Sequence, residues 1–147
     1  MSAITHIFKN SVSWKGDKKG IVSFEGRLGI NFSTPVDFGG PAGMISPEDL
    51  FVASVNACTL TSFLYFAEKL DLNLIGYTCS AEGTVIKTEG PYVFSEITLN
   101  PMIIVERDEE KAKAIKAIEL TEKYCIISRS IESTVRVKMH PKVTVKN

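Results

Sequence analysis

A long uncharged segment constrains the fold of this chain more than any other feature of its sequence. From Leu50 to Ala67 the chain carries no Asp, Glu, Lys or Arg, which approaches the length of a membrane-spanning helix, about 20 residues. The segment is not uniformly apolar, because it contains Ser54, Asn56, Thr59, Thr61 and Ser62. Acidic residues flank it closely, and neither a second such segment nor a basic cluster accompanies it. Since a helix that is apolar on nearly every face lies either in a membrane or at the centre of a protein, we predict a central helix and no membrane association.

The start of this helix is marked by its own residues. Ser46 is a favoured N-cap residue, and Pro47 suits the first helical position because that position needs no N–H donor. Glu48 and Asp49 then place negative charge at the positive end of the helix dipole. The helix should continue to about Leu70. One chain of 147 residues has few elements with which to cover such a helix on all sides, so we expect an intertwined homodimer that buries it between two chains.

Length, charge and cysteine content narrow the class of protein. The 147 residues predict a single domain over residues 1–147. Lys and Arg together number 17, as do Asp and Glu, and this balance argues against a nucleic acid as partner. The first residues lack the apolar run of a secretory signal, and 3 cysteines are too few for a disulfide-stapled secreted scaffold. We therefore expect a soluble, cytoplasmic protein.

Alternation of apolar and polar residues predicts strands on both sides of the central helix. Three short strands with hairpin turns precede it, and two longer ones, over 74–87 and 92–105, follow it. In the second long strand we expect Val93, Ile97, Leu99 and Ile103 to lie on one side. A second helix is predicted over 108–130 and a last strand over 135–145. The fold class is therefore α+β, with antiparallel sheets packed around two helices.

Cys58 is the first residue that suggests chemistry, and it lies well inside the central helix. At such a position a cysteine is most often a small buried hydrophobe. A nucleophilic role needs a thiolate, and the helix dipole no longer helps three turns from the N-terminus. If Cys58 reacts, a cation must therefore come from elsewhere in the fold.

Cys125 lies near the end of the second predicted helix, and its spacing from Ala114, Ile118 and Thr121 predicts that it points inward. Two cysteines on the inward faces of packed helices can cycle between dithiol and disulfide if their sulfurs meet; otherwise each is a core residue. Cys79 shares a strand face with apolar residues and is predicted to belong to the core. We expect neither a bound metal nor a resident cofactor, because His6 and His140 lie far apart in the sequence and no CxxC motif is present.

Glu48 imposes a geometric condition on any site that contains Cys58. Along an α-helix the two residues are separated by about 15 Å. They cannot touch within one helix, so a site that uses both must take Glu48 from the partner chain. The condition again favours a homodimer.

Several segments together match a known family: Ser13–Asp17, Ser46–Ala53, Ala57-Cys58, Gly90–Phe94 and residues 117–131 with Glu122–Cys125. Through them nearly the whole sequence resembles the OsmC/Ohr family, the osmotically inducible protein C and organic hydroperoxide resistance proteins. It implies an intertwined homodimer and a thiol-dependent peroxidase that reduces an organic hydroperoxide to an alcohol. Cys58 would be the nucleophile, Cys125 the resolving thiol and Glu48 an active-site carboxylate, and a dithiol or a lipoylated protein would reduce the resulting disulfide.

Two positions depart from the best-characterised members of that family. Those members hold the thiolate with an arginine in the N-terminal turn, where this chain has Lys18; Arg27 is an alternative cation. Lysine offers a point charge rather than the planar fork of arginine. Ile126 replaces the proline that usually follows the second cysteine. These features resemble the general OsmC-like branch more than the dedicated organic hydroperoxide resistance branch.

A second function remains open on the same fold. Phe51, Phe63 and Phe66 could line an apolar pocket at the dimer interface, and a non-catalytic protein could hold an apolar small molecule there. Aromatic residues at helical spacing are more often core residues. The two functions differ at Cys58, because only the peroxidase needs an activated thiolate.

Overall fold

The computed structural model describes residues 3–147. Its contacts divide the chain into two compact units, of which the first ends at Phe51 and the second extends from Val52 to Asn147. The single domain over residues 1–147 stays a prediction. The α+β class is confirmed, and each unit contributes one sheet.

The first unit is built on a three-stranded antiparallel sheet in the order β1-β2-β3. Its strands are β1 (Ser11–Trp14), β2 (Lys19–Ser23) and β3 (Ile30–Ser33). The turn between β1 and β2 has positive φ at Gly16 (96°) and Asp17 (46°), a conformation that glycine adopts without strain. This turn places Lys18 directly before β2. A 3-10 helix, Val36–Phe38, follows β3 and ends at Gly39 in the left-handed conformation.

The predicted start of the central helix is confirmed. Helix α1 spans Pro47–Lys69. The Ser46 hydroxyl accepts a hydrogen bond from the Asp49 N–H at 3.1 Å, and the Asp49 carboxylate accepts one from the Ser46 N–H at 2.8 Å. This reciprocal pair satisfies donors that the first turn of any helix leaves without intrahelical partners.

The sheet of the second unit is mixed rather than wholly antiparallel. Its strands are β4 (Leu74–Ile86), β5 (Val93–Val105), β6 (Arg136–Met139) and β7 (Lys142–Val145). β4 and β5 form an antiparallel hairpin, whereas β6 and β7 both run parallel to β5. Helices lie between β5 and β6, and such a crossover returns the chain in the same direction. The predicted last strand over 135–145 is therefore two strands. They are separated at Pro141, which has no N–H to donate to a ladder.

A bulge in β5 reverses the predicted orientation of one residue. Thr84 pairs with Glu96 and Val85 pairs with Phe94, so Ser95 is an extra residue on this strand. An extra residue shifts the alternation of side chains between the two faces. Ile97, Leu99 and Ile103 are buried together, but the prediction that Val93 shares their side is wrong, since that residue is 43% exposed.

In the second unit, only one face of α1 packs into the core. Its buried residues there recur every four positions, at Val55, Thr59, Phe63 and Ala67. Leu64 and Tyr65, on other faces, are 44% and 57% exposed. By length and composition α1 meets the criterion for a membrane span. An 18-residue stretch of it has a mean hydropathy of 1.6, and 22% of that stretch is buried. The central helix of a soluble protein meets the same criterion, so this finding is weak evidence for a membrane.

The second predicted helix is broken at Cys125. A 3-10 helix, Asp108–Glu110, leads into α2 (Lys111–Tyr124), and α3 (Ile126–Ile131) follows after one residue. Cys125 has φ −60° and ψ 116°, an extended conformation, and it is at once the C-cap of α2 and the N-cap of α3. The prediction of one helix over 108–130 is wrong at this residue. The segment around it contains neither glycine nor proline to mark a break.

Candidate functional site

Cys58 and Cys125 meet in the second unit. The Cys125 thiol lies 3.1 Å from the Cys58 sulfur, and both cysteines are free thiols. A disulfide has an S–S distance of about 2.05 Å. A relative movement of about 1 Å would therefore bring these two sulfurs to bonding distance.

The helices that carry the two sulfurs give them unequal access. Cys58 lies on α1 and is partly buried, with the Ser62 hydroxyl at 4.0 Å one helical turn away. Cys125 lies at the α2–α3 junction and is 1% exposed. The break in the helix determines this position, because Cys125 caps α3 instead of continuing α2.

The surroundings of the two thiols shift their pKa values in opposite directions. Burial raises the pKa of Cys58; the backbone N–H of Ile127 opposes that effect, and Cys125 adds to it. Burial also acts to raise the pKa of Cys125, but the Ser128 hydroxyl and N–H, together with Cys58, outweigh it, so this pKa lies below its ordinary value. Because the thiols are in contact they titrate as a pair. Within this unit the first thiolate is held better at Cys125 than at Cys58.

An open groove lies beside Cys58. It has a volume of about 480 Å³ and is lined by Cys58, Thr61, Ser62, Tyr65, Phe66, Tyr124 and Ile126. Three of these seven residues are aromatic, and the Phe66 ring lies 5.8 Å from that of Tyr124 and 5.1 Å from that of Tyr65. We call this the aromatic groove. It offers an apolar molecule access to the Cys58 sulfur.

A second, smaller cavity lies beside Cys125. Its volume is about 90 Å³, and it is lined by Thr59, Thr121, Glu122, Cys125, Ser128, Val137 and Met139. We call this the polar pocket, since hydroxyl and carboxylate side chains make up much of its wall. Cys58 lines the aromatic groove and Cys125 lines the polar pocket, so the two sulfurs are open to different spaces.

Lys18 and Glu48 lie together in the first unit. Both line a cavity of about 540 Å³, along with Val12, Ser13, Trp14, Asp17, Lys19, Gly20, Phe32, Thr34, Pro35, Phe38 and Pro47. The Lys18 ammonium group donates to the Gly39 carbonyl at 3.1 Å. The Glu48 Oε1 atom is buried and has no hydrogen-bond partner within residues 3–147. Arg27, the alternative cation, lies over the Phe24 ring at 5.5 Å.

The other candidate residues lie apart from this chemistry. Cys79 is partly buried on the inward face of β4, as predicted. His140 is exposed after β6. Across residues 3–147 no group of three His, Cys, Asp or Glu side chains is arranged to hold a metal ion.

Sequence reasoning missed the two serines that lie beside the cysteines, Ser62 near Cys58 and Ser128 in the polar pocket with Cys125. Ser62 is four residues after Cys58 on a helix, and this spacing alone places the two side chains on one face. Ser128 follows Cys125 by three residues, the spacing at which an N-cap meets a backbone donor of its helix. The first serine could have been found from helical periodicity. The second could be found only once the break at Cys125 is known.

Comparison with known proteins identifies the family. The family model described as OsmC-like protein matches residues 40–140. The uncharacterized protein YmaD of Bacillus subtilis is 24% identical over 142 residues, covering 94% of this chain and 95% of YmaD.

Solved structures share the fold. An OsmC-like protein of unknown function from Vibrio cholerae has a TM-score of 0.84 at 20% identity, over 94% of this chain and 100% of its own. The organic hydroperoxide resistance protein OhrB of Bacillus subtilis has a TM-score of 0.68 at 21% identity, over 92% of this chain and 98% of its own. At these identities the structures establish a common fold and no more. Taken with the family model, they show that this chain belongs to the OsmC-like protein family.

Proposed function

We propose that the protein is a thiol-dependent peroxidase that reduces organic hydroperoxides to alcohols. The observation that carries the proposal is the 3.1 Å contact between the Cys58 and Cys125 sulfurs at the edge of the aromatic groove. A reduced pair so close together in a protein without a disulfide framework is suited to redox cycling. Family members named organic hydroperoxide resistance proteins support the same chemistry.

The proposed cycle uses each thiol once. The Cys58 thiolate attacks one peroxide oxygen, the O–O bond breaks, and the alkoxide takes up a proton and leaves as the alcohol. Cys58 is thereby oxidised to a sulfenic acid. The Cys125 thiolate then attacks the Cys58 sulfur, an S–S bond forms, and the sulfenic oxygen leaves as water after protonation. An external dithiol or a lipoylated protein reduces the disulfide, and no resident cofactor takes part.

Activation of Cys58 requires a positive charge from outside the second unit. Burial and the neighbouring thiol raise the pKa of Cys58, and a cation within about 4–6 Å would lower it. We assign this role to Lys18, which lines the same cavity as Glu48. Since Glu48 and Cys58 lie too far apart along one helix to meet, the partner chain of an intertwined homodimer would supply the carboxylate.

The environment we propose for the protein follows from its composition and surface. A chain with balanced charge and free thiols fits the cytoplasm, where disulfides are transient. We propose no nucleic acid or membrane as a partner. Leu64, which lies on α1 outside the aromatic groove, is 44% exposed, and burial against a second copy explains this better than a membrane does.

Intact mass measurement tests the cycle directly. The reduced protein is treated with a small excess of an alkyl hydroperoxide, and mass and peroxide consumption are followed together. We expect the loss of two hydrogens, mapped to a Cys58–Cys125 disulfide and reversed by a dithiol. An unchanged mass with no peroxide consumed would contradict the proposal.

The third cysteine offers a matched control for the variants. Cys79→Ser should keep full peroxide reduction, because Cys79 lies on β4 and lines neither the aromatic groove nor the polar pocket. Cys58→Ser should abolish it, and Cys125→Ser should leave Cys58 to accumulate as sulfenic or over-oxidised species that gain oxygen in mass. Turnover retained by Cys58→Ser would exclude this mechanism.

The aromatic groove also favours a second candidate, a binding protein for an apolar small molecule. Of the three phenylalanines considered for such a pocket, Phe66 lines the groove, whereas Phe63 is fully buried in the core. Binding of an apolar probe that is unaffected by Cys58→Ser, together with absent peroxide reduction in the unaltered protein, would favour this candidate.

A further inference from the structure

The different spaces open to the two sulfurs bear on how the disulfide is reduced. Reduction begins when an external thiolate attacks one of the two sulfur atoms and displaces the other. The rate depends on which sulfur the attacking thiol can reach and on how well the other leaves as a thiolate. In this structure both conditions select the same sulfur.

Access favours attack on Cys58. Its sulfur lines the aromatic groove, which is open and has a volume of about 480 Å³. Cys125 is 1% exposed and lines the polar pocket, whose volume is about 90 Å³. Because one water takes up about 30 Å³ of liquid, the polar pocket has room for a few waters but not for a dithiol.

The pKa values of the two thiols within the second unit also favour attack on Cys58, with Cys125 as the leaving group. Ser128 lines the polar pocket together with Cys125, and the effect of its hydroxyl and N–H outweighs that of burial, so the pKa of Cys125 lies below its ordinary value. Within the second unit, burial and Cys125 instead raise the pKa of Cys58. A cation that lowers this pKa would reduce the difference between the two leaving groups, and access would then decide the direction of attack. A thiol of lower pKa leaves faster in exchange.

We propose that the reductant always attacks the Cys58–Cys125 disulfide at Cys58, from the aromatic groove, and displaces Cys125 as a thiolate beside Ser128; this rests on the proposed two-cysteine cycle. One S–S bond breaks and one forms, giving a mixed disulfide between the reductant and Cys58. The second thiolate of a dithiol, or a second monothiol, then attacks the sulfur of the reductant. Cys58 leaves as a thiolate, and the oxidised reductant departs. Ser128 is a positioning residue in this step.

The test begins from protein oxidised with diamide, a thiol oxidant that forms disulfides without peroxide. Failure of diamide to form the Cys58–Cys125 disulfide would overturn the inference, whereas a disulfide formed by diamide but not by an alkyl hydroperoxide would overturn only the peroxidase. Oxidised protein is mixed with glutathione, quenched with N-ethylmaleimide and mapped by peptide mass. We expect glutathione on Cys58 and maleimide on Cys125 in at least about tenfold excess over the reverse. Equal amounts, or glutathione mainly on Cys125, would refute the assignment.

Two substitutions test the route even if the mixed disulfide is too short-lived to capture. Thr61→Trp fills the aromatic groove from an exposed position of α1, and Glu122→Trp covers the edge of the polar pocket from an exposed position of α2. With dithiothreitol as reductant, Thr61→Trp should slow reduction by about tenfold and Glu122→Trp by less than about twofold. Equal slowing in both, or none in Thr61→Trp, would count against attack from the groove.

Substitutions at Ser128 test the role of its hydroxyl in reduction of the disulfide. Ser128→Ala should slow reduction of the disulfide by about tenfold, the effect of losing one hydrogen bond to a charged group. Ser128→Thr should restore the rate, since it keeps the hydroxyl. The first step with peroxide, measured as alcohol released in a single turnover, should be unchanged in both. A loss that Ser128→Thr does not restore, or an equal loss in both half-reactions, would indicate a merely structural residue.

Discussion

Phe63 and Phe66 lie one turn apart on α1, and the structure predicts that their removal has different consequences. Phe63 is 0% exposed, belongs to the core cluster with Ala67, Ile103 and Val105, and its ring lies 5.3 Å from that of Tyr77. Phe66 is partly buried and forms part of the aromatic groove. One should therefore matter for folding and the other for access to Cys58.

The magnitudes follow from burial. Replacing a fully buried phenylalanine by alanine costs about 3–5 kcal/mol, because the apolar transfer energy is lost and a cavity remains. Phe63→Ala should lose that much of the free energy of unfolding, a large part of the roughly 5–15 kcal/mol typical of a domain. Phe66→Ala, which gives up less buried surface, should lose only about 1–2 kcal/mol. It should instead raise the KM for a bulky hydroperoxide.

Urea unfolding of the reduced protein, followed by far-ultraviolet circular dichroism, measures the first effect. The protein concentration must be the same for all variants, since a homodimer gains stability from association. Steady-state peroxide reduction by the folded variants measures the second. The reasoning is refuted if Phe63→Ala loses less than about 1 kcal/mol, or if it changes KM as strongly as Phe66→Ala does.

Three further predictions concern a helix cap, a buried carboxylate and the thiol pair. Ser46→Ala removes the side-chain cap of α1 and should lower the free energy of unfolding by about 1 kcal/mol in urea unfolding; no loss would show the cap to be dispensable. Burial of Glu110 is outweighed by N–H donors from Asn73 and Arg107, which hold its pKa below the ordinary value. The resulting stability is present above the unfolded pKa of about 4.3 and is lost as the pH falls through the folded value, so Glu110→Gln should destabilise at pH 7 and progressively less in acid. Thiolate absorbance near 240 nm should appear below the ordinary cysteine pKa in the reduced protein, and Cys125→Ser should remove the part of it that belongs to Cys125; an unchanged titration would contradict the assignment of a thiolate to Cys125.

Local chemistry made much of α1 predictable. Ser46 and Pro47 specify the start of the helix through hydrogen bonding and a fixed φ, and both signals act within one turn. The end predicted near Leu70 agrees with the end found at Lys69. The inward faces of β4 and most of β5 follow from alternation with period two, a property of each strand alone.

The features that the sequence did not predict depend on contacts between secondary-structure elements. The bulge at Ser95 is a property of the pairing of two strands, and nothing in β5 alone marks it. The break at Cys125 has no glycine or proline to signal it. The contact between the Cys58 and Cys125 sulfurs arises from how α1 packs beside α2 and α3, so periodicity predicts that each cysteine points inward but not that they meet.

The single extended residue between α2 and α3 also determines which part of the molecule moves when the disulfide forms. Joining the sulfurs needs a displacement of about 1 Å, and a close-packed interior resists such a shift. Helix α3 has only 6 residues and is attached to α2 through one hinge residue. We therefore expect α3 to move with Cys125 on oxidation while Phe63 and its neighbours stay in place. Amide hydrogen exchange along α3 should accordingly differ between oxidised and reduced protein, whereas exchange along β5 should be the same in both. Exchange in this one short helix would then indicate whether the two cysteines are oxidised.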